Sequence, residues 1–241
     1  MSGRFPPASA FDDPRVDPRR LRRVSGEDGD LLFVGVVHDH PASIARVRRV
    51  LEAARPDVLA LELPPAAIEL YRAYAREGSP PERGGEMSAA ISAAPEATVV
   101  GIDAPTPSYV GRLLARLIAD RASLTTTRRV VSGLGSATRE AIACRLAATL
   151  PETASRAIAP TDRIEYAVDG EDSPRRQLEH ERAHVATVQA LLASTSGDVL
   201  AYRDETREAC MIDRLEGLRD RGDVVAVVGV DHLEALEGGL S

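Results

Sequence analysis

The stretch LLFVGVVHDHPASIARVRRVLEAARPDVLALELPP, residues 31–65, decides the fold. Leu31 to Val37 is a continuous apolar run rich in Val, the pattern of a strand buried on both faces of a parallel sheet. Ser43 then opens a helix through about Ala54, with Ile44, Val47, Val50 and Leu51 at helical spacing. Pro56-Asp57 marks a turn, and Val58-Leu59-Ala60-Leu61 reads as a second strand. Strand, helix and strand form a β-α-β unit with a right-handed crossover.

Upstream, residues 1–28 are rich in Pro, Arg, Asp and Gly and read as a flexible arm. That leaves 29–241 as a single α/β domain. Downstream, Pro64-Pro65 breaks the second strand and a helix follows over about 66–76. Residues 78–86, GSPPERGGE, are a loop, and a short helix over 87–93 leads to a third strand at 98–102. From 108 to about 160 the spacing is helical and amphipathic. A polar segment at 161–174 precedes helices over about 175–193 and 200–220. Val224 to Val228 is the last strand, followed by a short acidic tail. The expected class is α/β, a mainly parallel sheet with flanking helices and a long helical insertion before the last strand.

Composition excludes several functions. All 30 basic residues are Arg, so there is no lysine for a P-loop or a Schiff base. There is no Asn, hence no N-glycosylation acceptor. Aromatics are 3% of the chain and the net charge is -7, which argues against base stacking and against nucleic acid in general. No apolar run approaches the ~20 residues of a membrane span. The Arg-containing start lacks the apolar core of a signal peptide, so a cytoplasmic protein is expected. Cys144 and Cys210 are not in a CxxC pair and read as free thiols. The oligomeric state is left open, with a homo-oligomer as one outcome.

Ligands of open α/β sheets bind beyond the carboxyl ends of the strands. Here those ends carry His38, Glu62, Asp103 and His232. His38 and His232 share the form G-x-x-H, in GVVH at 35–38 and GVDH at 229–232. Two imidazoles with one or two carboxylates suit a divalent metal such as Mn, Co or Zn. Such an ion acidifies bound water and polarises a carbonyl. Glu62 lies in the apolar run LALELPP and needs a partner there. Asp103 is either a site carboxylate or a helix cap near Pro105.

These motifs resemble the TraB/PrgY family, which is related to the GumN and Tiki proteins. The likeness lies in G-x-x-H, a Ser opening a helix, then P-D-V and E-L over 31–65. TVVGIDAPTP looks like the family's third strand with its Asp. YRDETREACMIDRLEGLRDRGDVVAVVGVDHL, with its R-D pair, Met and second G-x-x-H, is similar to the closing segment. The resemblance covers residues 31–110 and 200–236, and the helical middle by length alone. It implies an erythromycin-esterase/ChaN-like fold and metal-dependent hydrolysis of a peptide or amide. By motif match His38, Glu62, Arg203 and His232 take the family's site positions, with His38, Glu62 and His232 as metal ligands. Glu62 or Asp103 is then the general base, and Arg203 binds a carboxylate or steadies an oxyanion. Two departures stand out: Tyr202 replaces the usual Glu before Arg203-Asp204, and the Arg expected soon after E-L is missing from Pro64 to Ala67. They keep open a second outcome, a protein that sequesters a peptide or small ligand without turnover.

His180-Glu181-Arg182-Ala183-His184 spells the zincin signature H-E-x-x-H. Its setting, RRQLEHERAH, is heavily charged and no third ligand follows at a matching distance. A solvent-facing charged helix outside the main pocket is expected instead, and His40 is read as a loop histidine.

Overall fold

A computed structural model describes residues 5–78, 81–147, 164–195 and 198–241. The expected loop residues Ser79 and Pro80, and the end of the helical middle with its polar link at 148–163, lie outside the described residues. Strands β1 (Leu21–Val24), β2 (Leu31–Val36), β3 (Val58–Leu61), β4 (Thr98–Gly101) and β5 (Val224–Gly229) form one sheet in the order β1-β2-β5-β3-β4. The last four of that order are parallel, and β1 is antiparallel at the edge. This is the expected α/β class. The β2-α-β3 unit skips a place, because the last strand of the chain inserts between its two strands.

The helices are α1 (Pro41–Ala54), α2 (Ile68–Ala75), α3 (Gly85–Ala93), α4 (Pro107–Ala119), α5 (Leu124–Ala147), α6 (Pro174–Thr195), α7 (Asp198–Arg219) and α8 (Leu233–Leu240). Side-chain alternation along the strands feeds two cores. Leu32, Val34, Leu59, Val225 and Val227 pack with Val47, Val50 and Leu51 of α1 and with Leu70 and Met87. Leu31, Phe33, Ala60, Val224 and Ala226 pack with Met211 and Leu215 of α7 and Leu236 of α8. Helices thus cover both faces, which is why the central strands β2, β3 and β5 carry no polar side chain. None of the helices among the described residues is long and apolar enough to cross a membrane.

Several boundaries differ from the expectation. Residues 5–24 are built into the fold rather than forming an arm. Phe5 and Val16 are buried, and Leu21–Val24 pairs with β2. The strand was hidden by its two arginines, Arg22 and Arg23, which project to opposite faces of this half-covered edge strand, Arg22 to Glu237 and Arg23 to the Phe5 carbonyl. Helix α1 starts at Pro41 rather than Ser43, and His40 is its cap: Nδ1 accepts from the Ala42 N–H at 3.1 Å. The expected helix at 66–76 begins as a 3-10 turn, Pro65–Ala67, before α2. The acidic tail is α8, whose Leu233 and Leu236 are buried against β5 and α7. Gly35 makes room for that helix: a Cβ there would stand 2.4 Å from Leu233 Cδ1.

Candidate functional site

β3 and β4 end level with one another and β5 runs two residues further, and the ends present Glu62, Asp103 and the Gly229 N–H. The Glu62 backbone still follows the sheet, donating to the Val227 carbonyl at 3.0 Å. Its side chain turns into a closely partnered position. Oε2 accepts from the Gly229 N–H at 2.6 Å, and Oε1 accepts from Arg207 Nη2 at 2.8 Å. Oε1 also lies 3.4 Å from His232 Nε2. Glycine at 229 allows the approach, since a Cβ there would be 3.3 Å from Oε2. Burial works against the Glu62 charge, but His232, Arg207 and the Gly229 N–H overcome it and pull the carboxyl down to about 2.

Asp103 holds Arg207 by two parallel bonds, Nε to Oδ1 at 2.9 Å and Nη2 to Oδ2 at 2.8 Å. The planar guanidinium therefore joins the ends of β3 and β4. Burial opposes the Arg207 charge, and Asp103 and Glu62 outweigh it, holding the guanidinium above its ordinary range. Of the two roles open to Asp103, the helix cap falls to Thr106, whose hydroxyl accepts from the Tyr109 N–H at 3.2 Å.

His232 sits in a 3-10 turn, Val230–His232, and is buried behind Glu62. Its Nδ1 donates to Glu208 Oε1 at 2.8 Å. Burial works against an imidazolium here, yet Glu62 and Glu208 push the pKa up to about 9. His38 follows β2 and donates from Nδ1 to Glu86 Oε1 at 2.7 Å, while the Asp39 N–H donates to Glu86 Oε2 at 2.9 Å. Glu86 lifts the His38 pKa to about 9, against the pull of burial. The His38 side chain remains 54% exposed, at the rim of the site.

These groups open into a cavity of about 660 Å³. His38, Glu62, Asp103, Arg203 and Arg207 line it, and Leu63, Tyr71, Tyr74 and Met87 give it an apolar wall. Of the expected residues, His38, Glu62, Asp103 and Arg203 face this cavity, and His232 touches Glu62 from behind. Arg207 and the two glutamates that hold the histidines, Glu86 and Glu208, were not expected. Glu208 and Arg207 stand at i+5 and i+4 from Arg203 on one helix, and nothing in their sequence setting separates them from other helical charges.

The donor set suits a divalent ion in two respects. Each histidine commits Nδ1 to a glutamate, the supporting arrangement that presents Nε2 to a metal once the ion displaces its proton. The 3.4 Å between His232 Nε2 and Glu62 Oε1 is close to the ~3.3 Å between neighbouring ligands of a tetrahedral ion with bonds near 2.0 Å. Among the described residues no three His, Cys, Asp or Glu side chains are gathered as a metal-holding group.

The H-E-x-x-H helix lies elsewhere. It is not wholly solvent-facing, because Glu181 is fully buried. Glu181 pairs with the equally buried Arg46 of α1 and accepts from Ser43 Oγ at 2.5 Å. Arg46 Nη1 also donates to the Gly35 carbonyl at 2.8 Å. Glu181 is thus a structural tie, and the two histidines of the motif pack against His40 and Tyr166. His40 is itself fully buried, with Nε2 3.0 Å from His180 Nδ1. Burial, outweighing Glu181, lowers the His40 pKa to about 4.

A scan against protein-family models, a search of curated proteins and a search of solved structures each found no match to this chain.

Proposed function

We propose that this cavity is the active site of a metal-dependent hydrolase acting on a peptide or amide. The observation that carries the reading is the pairing of His232 Nε2 with Glu62 Oε1 at 3.4 Å, with the Nδ1 atoms of both site histidines held by glutamates. Glu62 and His232 would hold the ion, and His38 would join them by turning in from the rim, since the three are not gathered as they stand. When bound, it supplies a Lewis acid for the carbonyl and lowers the pKa of water. Glu86 and Glu208 set the ring orientations. Arg207 fixes Glu62 and Asp103 in place, so the acidic floor needs little rearrangement when substrate enters. Glu62, held ionised by three partners, serves as an electrostatic group rather than the proton acceptor. The apolar wall accommodates a substrate side chain and excludes water.

A second reading rests on Arg207. It already engages both Glu62 and Asp103, and with His232 on Glu62 as a second cation it leaves a pocket floor able to bind a peptide or small ligand without turnover. One set of measurements separates the two. The protein is stripped with a chelator and titrated with Mn, Co and Zn, and each form is incubated with a mixture of short peptides. The hydrolase reading expects one ion per chain, loss of that ion in His232→Ala and Glu62→Gln, and cleavage that returns with metal. Peptide binding without cleavage or ion uptake supports sequestration. If no ion binds and no peptide is cut, the hydrolase reading fails.

A further inference from the structure

Helix α7 brings three arginines to one edge of the sheet. Arg214 donates to the Gly101 carbonyl within β4, and Arg207 reaches Asp103 and Glu62 just past the strand ends. Arg203 is four residues before Arg207, about 6 Å further along the helix axis, and lines the same cavity. It is therefore the outermost of the three, standing above the strand ends.

Its surroundings differ from those of Arg207. Arg207 is saturated by two carboxylates. Among the described residues Arg203 has no carboxylate partner. Tyr109 lines the same cavity, where burial raises its hydroxyl pKa and Arg203 acts against that rise. Several other charges around the cavity are matched, Glu86 with His38, Asp103 and Glu62 with Arg207, and Arg83 with Glu77, and Asp39 and Glu82 line it as well. Gly133 of α5 faces the same guanidinium, where a Cβ would be 3.6 Å from Nη1. With glycine there, that flank of Arg203 is open.

We propose that Arg203 and the Tyr109 hydroxyl form a subsite for a substrate carboxylate. The ligand is then a short peptide or N-acyl amino acid with a free C-terminal carboxylate and an apolar last side chain. This rests on the reading of the cavity as a peptide or amide site. The guanidinium supplies the charge and its paired donors match a carboxylate. One extended residue spans about 3.5 Å. A carboxylate held at Arg203 therefore directs the last amide bond towards Glu62, and the apolar wall at Tyr71 and Met87 takes the side chain between them.

The test uses the full chain, loaded with whichever of Mn, Co or Zn it binds, and a matched pair of probes, acetyl-alanyl-leucine and its C-terminal amide. Affinity is read by calorimetry and turnover separately by chromatography. The acid should bind about tenfold or more tighter than the amide, the scale of a hydrogen bond to a charged group. Arg203→Gln should bring the acid to the affinity of the amide, leave the amide unchanged and leave the melting temperature unchanged. Gly133→Leu, which intrudes on the guanidinium from the facing helix, should also weaken only the acid. Equal binding of the two probes, no binding of either, or a loss in Arg203→Gln shared by both overturns the subsite. Preference for the acid without cleavage keeps the subsite and removes the hydrolase. Equal cleavage of acid and amide, with no preference in binding, does the reverse.

Discussion

Glu62 keeps its charge in a nearly closed position because three groups share it: Arg207, His232 and the Gly229 N–H. Removing any one leaves a buried carboxylate short of a partner. From its position past the end of β5, His232→Ala is expected to change stability by about 1 kcal/mol or less. Its placement between Glu62 and Glu208 raises that to roughly 3 kcal/mol, the scale for breaking one side of a buried ion pair. Chemical denaturation measures the difference, and a loss under about 1 kcal/mol means that water reaches the two glutamates freely. Arg207→Met removes the shared partner of Glu62 and Asp103 and is expected to lose a similar amount. Arg203→Gln, one turn away on the same helix, should be close to neutral. If the two arginine variants melt alike, the bidentate link to Asp103 contributes little.

Helices α1 and α6 meet through buried polar groups, with Arg46 and Ser43 on Glu181 and His40 on His180. This contact gives the pair a defined pH response. The folded His40 pKa is near 4, against an ordinary value of 6.5. Between those values the unfolded chain takes up a proton that the folded chain does not. Stability from this group is therefore complete above pH 6.5 and falls as the pH drops towards 4, by about 3 kcal/mol at most. Burial opposes the Glu181 charge, but Arg46, Ser43 and Arg20 lower its pKa, so its contribution is lost at still lower pH, as the carboxylate protonates. Both act in the same direction. His184, near Tyr166, and His180 stand in the same group of rings. His40→Asn keeps an acceptor for the α1 cap and removes the titration. Its melting temperature, followed from pH 7 to pH 4, should decline less than that of the parent chain. An unchanged slope would assign the acid sensitivity to other groups.

At the level of the molecule, the amino-terminal residues complete the sheet. Phe5 is 2% exposed and belongs to the same core as α1 and β2, and its carbonyl accepts from Arg23 of β1. Phe5→Ala should therefore destabilise the whole domain by about 3 kcal/mol, as for other buried aromatic truncations. Removing residues 1–24 should lower the urea midpoint further, because it also bares the β2 edge. A truncated chain as stable as the full one would return this segment to the status of an arm. The late position of β5 has a parallel consequence. β2 and β3 do not pair with each other, so the sheet cannot close until Val224–Gly229 is in place.

The class of fold was legible in the residues because burial on both faces forces continuous apolar runs. Leu31–Val37, Val58–Leu61 and Val224–Val228 each announce a central parallel strand without reference to any partner. The strand ends then nominate His38, Glu62, Asp103 and His232, since a parallel sheet gathers its carboxyl ends on one side. Strand order was not legible: three equally apolar runs say nothing about which lies in the middle. That choice follows from packing, and it alone puts Gly229 and His232 against Glu62. The edge strand Leu21–Val24 escaped notice for the opposite reason, because its faces are only partly covered and can carry arginines. Among 30 Arg residues, the sequence nominates Arg203. Only the rotation of α7 against the sheet aims Arg207 at Glu62 and Asp103 and leaves Arg203 facing the cavity. Glu181 is the same case at longer range. Its buried partner Arg46 is 135 residues away, and a local charge pattern cannot distinguish such a tie from a solvated helix. Local composition determined which segments are buried and where they end, because those depend on each segment's own side chains. The pairing of charges depends on distances between segments, which the tertiary structure alone decides.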